Sequence, residues 1–316
     1  PAAPTIFGRL PWFTLALCGG LIIRFQAELK SATDFDAPGE PGLFSLLALG
    51  ASSRTQVIGH GEWWRLFTAP ALHGSFEHII GNLVSLLLVG FLLEPLIGIG
   101  WFAAIYFVGS LSGVLFSMLL NNPNIPSVGA SGAIMACMAA LYVLSYHDGV
   151  KRPTLMRRMS GFVLFPALAP SADGSVDLNA HLGGFLGGLL VAFLLLICWP
   201  EKEERMPGRS LSALVAAGLL AMTAWAFIAS EKSFAQYAEP GRDMIQPADL
   251  PRTTEAMMNR SYELVEKYPR DPRANMFRGF YFLQKDNLAD AEPYLREALR
   301  LGESNPVMTP FFANWT

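Results

Sequence analysis

Ser131, His78, Asn82 and His181 are polar side chains set in or at the ends of long apolar runs. A serine hydroxyl is a weak nucleophile until a base takes its proton, and a histidine with a pKa near neutrality can do so from about 2.6 to 3.2 Å. His78 and Asn82 are four residues apart, so on a helix they share a face and can both donate hydrogen bonds to a developing oxyanion. Together these residue types offer acyl transfer by an activated serine. Taken singly, each has a plainer use: Ser131 bonding back to a carbonyl, His181 and Asn82 as hydrogen bonds between helices.

The elements that must position them are membrane helices. Only 16% of the 316 residues are charged, against roughly 25% in an average soluble domain. Residues 1–200 hold 19 of those charges and residues 201–316 hold 30, so the first two thirds suit a bilayer and the last third suits water. A spanning helix needs about 20 apolar residues, because lipid offers the backbone no hydrogen-bond partner. Gly98 to Leu120, Leu182 to Trp199 and Leu211 to Ile228 are charge-free, as are the shorter Ile79 to Leu93 and Ser131 to Tyr146. Gly161 to Pro170 reads as a short or tilted span. The run from Leu10 to Ile23 also fits a signal-peptide core; extended from Phe7 to Phe25 it makes a workable span, and its retention as a helix brings the expected total to seven.

Orientation follows from the Lys/Arg bias of short loops. With the N-terminus in the cytoplasm, Arg9, Lys151, Arg152, Arg157, Arg158, Lys202, Arg205 and Arg209 lie inside, and Lys30, Arg54 and Arg65 lie outside. The connector from Pro41 to Ala71, with its apolar stretch Leu43 to Leu49 and the pair Trp63 and Trp64, is expected at the outer leaflet. Polar residues at membrane depth are costly and mark function. Gly184 and Gly188 after His181, and Gly132 with Ala136 after Ser131, are small-residue pairs that let helices approach closely.

Cys18, Cys137 and Cys198 lie in apolar runs without a CxxC pair or metal-like spacing and read as small buried hydrophobes, so neither cofactor nor metal is expected. A net charge of −3 without a basic run sets nucleic acid aside.

Gly129-Ala130-Ser131-Gly132, Ala180-His181-Leu182-Gly183-Gly184 with Gly188, His78-Ile79-Ile80-Gly81-Asn82 and Trp64-Arg65 resemble the motifs of the rhomboid intramembrane serine proteases, in the same order, over about residues 10–230. The resemblance implies Ser131 as nucleophile and His181 as base, a dyad without a third carboxylate. It also implies an oxyanion hole of His78, Asn82 and the Ser131 backbone N–H, with His73 close by and Arg65 and Glu94 at structural positions. Many members carry a tyrosine four residues after the nucleophile, stacked on the histidine. Here that position is Met135, whose thioether can also pack on a ring.

Beyond Glu231, prolines 240, 247 and 251 mark an expected linker over 231–251. Glu255 to Tyr268, Arg273 to Lys285 and Leu288 to Leu301 then read as helices. Gly279, Phe282, Leu288, Ala291, Leu295, Ala298 and Leu301 resemble one tetratricopeptide repeat, with a plain amphipathic hairpin as the alternative. The expected architecture is therefore all-α: a rhomboid-like membrane bundle over 1–230, with a six-helix core plus a seventh span, and a small soluble helical domain over 252–316. Its implied activity is endopeptidase cleavage in or beside transmembrane helices of protein substrates. The bacterial inner membrane is the expected setting, with the C-terminal domain extracytoplasmic and open to a protein or peptide partner. The alternative is an inactive relative that binds transmembrane clients. A transporter would require inverted repeats, and the sequence has none.

Overall fold

The computed structural model describes residues 10–37, 39–123, 125–148, 150, 152–169, 176–200, 208–246, 248–249, 251 and 253–304. Arg9, Lys151, Lys202 and Arg205, half of the eight cations expected inside, lie outside them, as do Pro170, Pro247 and residues 171–175. Among the described residues the chain is almost entirely helical, its one sheet a two-stranded hairpin. It divides into two compact units, one of residues 1–27 and 50–231, the other of 28–49 and 232–316.

The first unit is the membrane bundle. Among the described residues five helices are long and apolar enough to cross a membrane: α1 (Trp12–Ser31), α4 (Phe76–Ile97), α5 (Ile99–Leu120), α8 (Leu178–Cys198) and α9 (Arg209–Arg242), the ends of α1 and α9 reaching into the second unit. α6 (Ser131–Leu144) is apolar but has only 14 residues, about 21 Å of helix against a hydrocarbon core of ~30 Å. It is also the centre of the bundle, with eleven of those residues buried, as a helix apolar on every side must be. α7 (Pro153–Ala167) begins on a proline at its first turn and turns Phe162 and Phe165 outward. It is the short element expected around Gly161, begun eight residues earlier.

Small residues set how closely α5, α6 and α8 pack. A Cβ on Gly113 would lie 3.2 Å from Gly132 Cα and 2.9 Å from the Ala180 carbonyl oxygen, and one on Gly183 would meet the Phe116 side chain. Such backbone-to-backbone contact gives dispersion attraction without the entropy cost of ordering long side chains. α1 is fixed at its start by α4: Glu94 accepts hydrogen bonds from the N–H groups of Phe13 (3.0 Å) and Thr14 (2.8 Å) and from Thr14 Oγ1 (2.7 Å). These satisfy N–H groups that a helix N-terminus leaves without partners, and they place a carboxylate at the positive end of the helix dipole.

Residues 50–75 fold against α5 through a short π-helical turn (Thr55–Gly59), α3 (Arg65–Thr68) and a 3-10 turn (Ala69–Ala71). Val57, Leu66 and Ala69 pack on Val114 and Met118. Arg65 is fully buried there, paired with Glu62 at 2.7 Å, donating to the Ala51 carbonyl at 2.8 Å and lying over the Trp64 ring. Trp63 is exposed, whereas Trp64 is buried, its ring the platform for the guanidinium.

The second unit joins two distant segments. The hairpin β1 (Phe35–Ala37) and β2 (Glu40–Pro41) leads into α2 (Leu43–Leu49), where Asp34 accepts hydrogen bonds from the N–H groups of Phe44 and Ser45 and from Ser45 Oγ. Gly241 near the end of α9 has no room for a side chain beside Thr33 and Phe44, and Gln246 donates to the Thr33 carbonyl. Leu43 to Leu49 is thus largely buried in this unit. The expected linker is also different, since α9 runs on to Arg242 with Pro240 inside its last turn.

α10 (Thr254–Asn259) and α11 (Ser261–Lys267) replace the single helix expected from Glu255 to Tyr268, the break falling at Arg260. α12 (Pro272–Leu283) and α13 (Leu288–Ser304) form a hairpin in which Gly279 faces the Leu295 side chain, and Ala291 and Ala298 are buried. Asp271 caps α12 and accepts a hydrogen bond from the Ile245 N–H at 2.7 Å. Cys18 and Cys137 are buried, whereas Cys198, at the last residue of α8, is exposed. A helix end facing outward overrides its apolar context.

Candidate active site

Ser131 is the first residue of α6, half-buried. The segment before it is extended and tied down on one side by backbone bonds: the Ser127 N–H donates to the Ser52 carbonyl at 2.7 Å, and the Gly129 N–H to the Ala69 carbonyl at 3.1 Å. Gly129 has φ +117°, a conformation that L side chains rarely adopt. A Cβ there would also lie 2.7 Å from His78 Cε1 and Nε2 and 3.6 Å from Asn82 Nδ2. The absent side chain is what lets the histidine ring and the amide approach the backbone two residues before Ser131.

His78 and Asn82 come from the first two turns of α4, whose cap Ser75 accepts a hydrogen bond from the His78 N–H. Asn82 is buried, and its Nδ2 has no hydrogen-bond partner. An unmet buried donor is expensive, and this one is able to donate to an incoming acceptor. His73 packs edge-on against His78, ring centroids 5.1 Å apart. Burial, then the neighbouring His78, holds the His73 pKa down to about 3, and its ring is neutral at physiological pH.

His181 lies in the first turn of α8, with Nδ1 2.7 Å from the carbonyl oxygen of Ala167 at the end of α7. A carbonyl can only accept, so Nδ1 carries the proton in this hydrogen bond and Nε2 of the neutral ring keeps its lone pair. That is the tautomer of a general base. The carbonyl is free for this duty because the last four carbonyls of a helix have no intrahelical donor. α6 and α8 meet where Gly184 and Gly188 lie directly on the backbones of Gly132 and Ala136. Met135 is buried in the core one turn into α6. Arg65 ties residues 50–75 together and Glu94 caps α1.

Two contributors are invisible in the reading by motif: the Ala167 carbonyl, which no side-chain pattern encodes, and Asp177. The latter had a legible signal, since an aspartate directly before an apolar run is a helix cap, and it does cap α8 by accepting from the Ala180 N–H.

Residues 60–198 match the model of the rhomboid domain. The rhomboid protease GluP of Bacillus subtilis (strain 168) is 38% identical over 103 residues, which are 33% of this chain and 20% of that protein. The rhomboid-like protease 5 of Toxoplasma gondii is 32% identical over 200 residues, 60% of this chain and 23% of that protein. The inactive RHOMBOID-like protein 8 of Arabidopsis thaliana is 34% identical over 101 residues, 32% of this chain and 28% of that protein. The chain thus spans less than a third of the length of each of these relatives.

Proposed function

We propose that this chain, whose residues 60–198 match the rhomboid domain, is a rhomboid-type serine endopeptidase cutting transmembrane substrates with a Ser131–His181 dyad. The observation that carries this reading is the contact of Gly184 with the Gly132 backbone, one residue from Ser131 and three from His181. In the proposed reaction His181 Nε2 takes the Ser131 proton as Oγ bonds to the scissile carbonyl carbon. The carbonyl electrons move to oxygen, where His78, Asn82 and the Ser131 N–H donate hydrogen bonds. His181 then returns the proton to the leaving amine, and water repeats the sequence on the acyl-enzyme.

A substrate helix hides its carbonyls in its own hydrogen bonds, so it must unwind at the cut, and weak helix formers are favoured there. The length of α6 supports a site below the membrane surface, since a helix of about 21 Å leaves part of the ~30 Å hydrocarbon core unfilled. We place the N-terminus in the cytoplasm of a bacterial cell and the second unit outside, where its helices are free to capture a substrate ectodomain or a partner. Tethering of that kind raises effective concentration without a new contact at the reacting atoms. The second reading, client binding without catalysis, draws on Met135 and on the inactive relative. Labelling with a serine-directed fluorophosphonate, repeated on Ser131→Ala, separates the two: the protease is labelled only at Ser131, and the inactive protein not at all.

A further inference from the structure

One carboxylate collects both halves of this site. Asp177 Oδ2 accepts hydrogen bonds from Ser117 Oγ (2.5 Å) and Ser127 Oγ (2.6 Å), and Oδ1 accepts from Asn121 Nδ2 (2.9 Å) and the Ala180 N–H (2.9 Å). Asn179 Nδ2 donates in turn to Asn121 Oδ1 at 2.6 Å. Ser127 belongs to the extended segment four residues before Ser131, Ala180 directly precedes His181, and Ser117 and Asn121 form the end of α5. The Asp177 carbonyl also accepts the His181 N–H at 3.1 Å.

We propose that Asp177 is the positioning residue of the dyad, fixing the approach to Ser131 and the first turn bearing His181 to a common point on α5. The inference rests on the serine-protease reading, because it concerns the spacing of those two side chains. Charge-assisted bonds to a carboxylate are the stronger kind. Burial by itself raises this carboxyl, but the bonds from Ser117, Ser127, Ala180 and Asn121 bring it below its ordinary range, so it is ionised at neutral pH. Donors converging from three segments leave neither reacting segment free to drift. A misplacement of about 1 Å in such a pair costs roughly 100-fold in rate.

The division of donors also makes the idea testable. Ala180 and Asn121 supply groups that can only donate, and both sit on Oδ1, whereas the two on Oδ2 are hydroxyls that can reverse and accept. Asparagine at this position therefore keeps all four bonds, and alanine keeps none.

The test measures kcat and KM of the full chain in liposomes on a model transmembrane substrate, with melting in detergent as the check of folding. Wild type must cleave and Ser131→Ala must not; failure there removes the protease reading itself. Given that, Asp177→Ala is expected to lower kcat by about 10- to 100-fold with KM within twofold, while Asp177→Asn stays within a few-fold of wild type. If Asp177→Ala does not fold, Ser127→Ala decides, with an expected several-fold loss of kcat. A folded Asp177→Ala with wild-type kcat, an Asp177→Asn as impaired as the alanine variant, or a Ser127→Ala at full rate overturns the proposal.

Discussion

Gly184 rests on the backbone of Gly132 with no side chain between them. A Cβ at 184 would overlap the Gly132 carbonyl, and backbone cannot rotate aside as the end of a side chain can. Valine at 184 must therefore push α8 away from α6. Overpacking of this kind costs about 1–3 kcal/mol, and here it also widens the Ser131–His181 gap. Gly184→Val is expected to lose at least about tenfold in kcat, more than an equally destabilising change at exposed Leu190. A folded Gly184→Val with full activity would contradict the role given to this crossing.

Ser131→Ala and His181→Ala are each expected to abolish cleavage with melting temperatures close to wild type, since a nucleophile and its base act as one unit. Cleavage of a model transmembrane substrate in liposomes is the measurement. Substantial activity in either variant would remove the dyad.

Asn82 holds an unmet donor in the folded state. A donor aimed at an oxyanion acts on the transition state and little on the bound substrate. Asn82→Ala is therefore expected to lower kcat by about 100-fold and leave KM nearly unchanged. The variant loses no internal hydrogen bond of the amide nitrogen, so its stability should not fall sharply. An effect confined to KM would reassign Asn82 to substrate binding.

His73 supplies a pH dependence. Its folded pKa of about 3 lies below the ordinary value of about 6.5, because the buried site disfavours the imidazolium. Above pH 6.5 neither state is charged and the contribution to stability is complete. Between pH 6.5 and 3 the unfolded chain binds a proton that the folded protein refuses, so stability falls with pH, by at most roughly 1.4 kcal/mol per unit. Melting at pH 7.5 and pH 5 should show a smaller acid loss in His73→Gln than in wild type. Equal slopes would mean that another group carries the acid sensitivity.

Much of the bundle is legible in the residues because lipid imposes long uninterrupted runs. The charge-free stretch from Gly98 becomes α5 within one residue at each end, and α6 starts at Ser131. The continuation of α9 to Arg242 is not legible, because past Ile228 the apolar run ends while residues such as Ala, Glu and Lys remain good helix formers. Proline at 240 falls in the last turn, where it does not stop the helix. The union of residues 28–49 with the C-terminal segment is illegible for another reason. Contacts such as Gln246 to Thr33, 213 positions apart, leave no periodic trace. Asp177 falls between these cases: its capping role is local and readable, but the serines that share its carboxylate lie 50 and 60 residues away.

That same union gives the final prediction two independent parts. Residues 28–49 and 232–316 form one compact unit, so the hairpin near Gly39 and the C-terminal helices are expected on the same side of the membrane. The expected seven spans put the C-terminus opposite the N-terminus, and eight Lys/Arg expected in short loops on the N-terminal side against three on the other make that side the proposed cytoplasmic one. Protease-sensitive tags inserted at Gly39 and added after Thr316 test both steps in intact and lysed bacterial spheroplasts. Both tags should be digested in intact spheroplasts. Digestion of both only after lysis would keep the shared side but reverse the orientation, and opposite behaviour of the two tags would break the unit that joins residues 28–49 to the C-terminal helices.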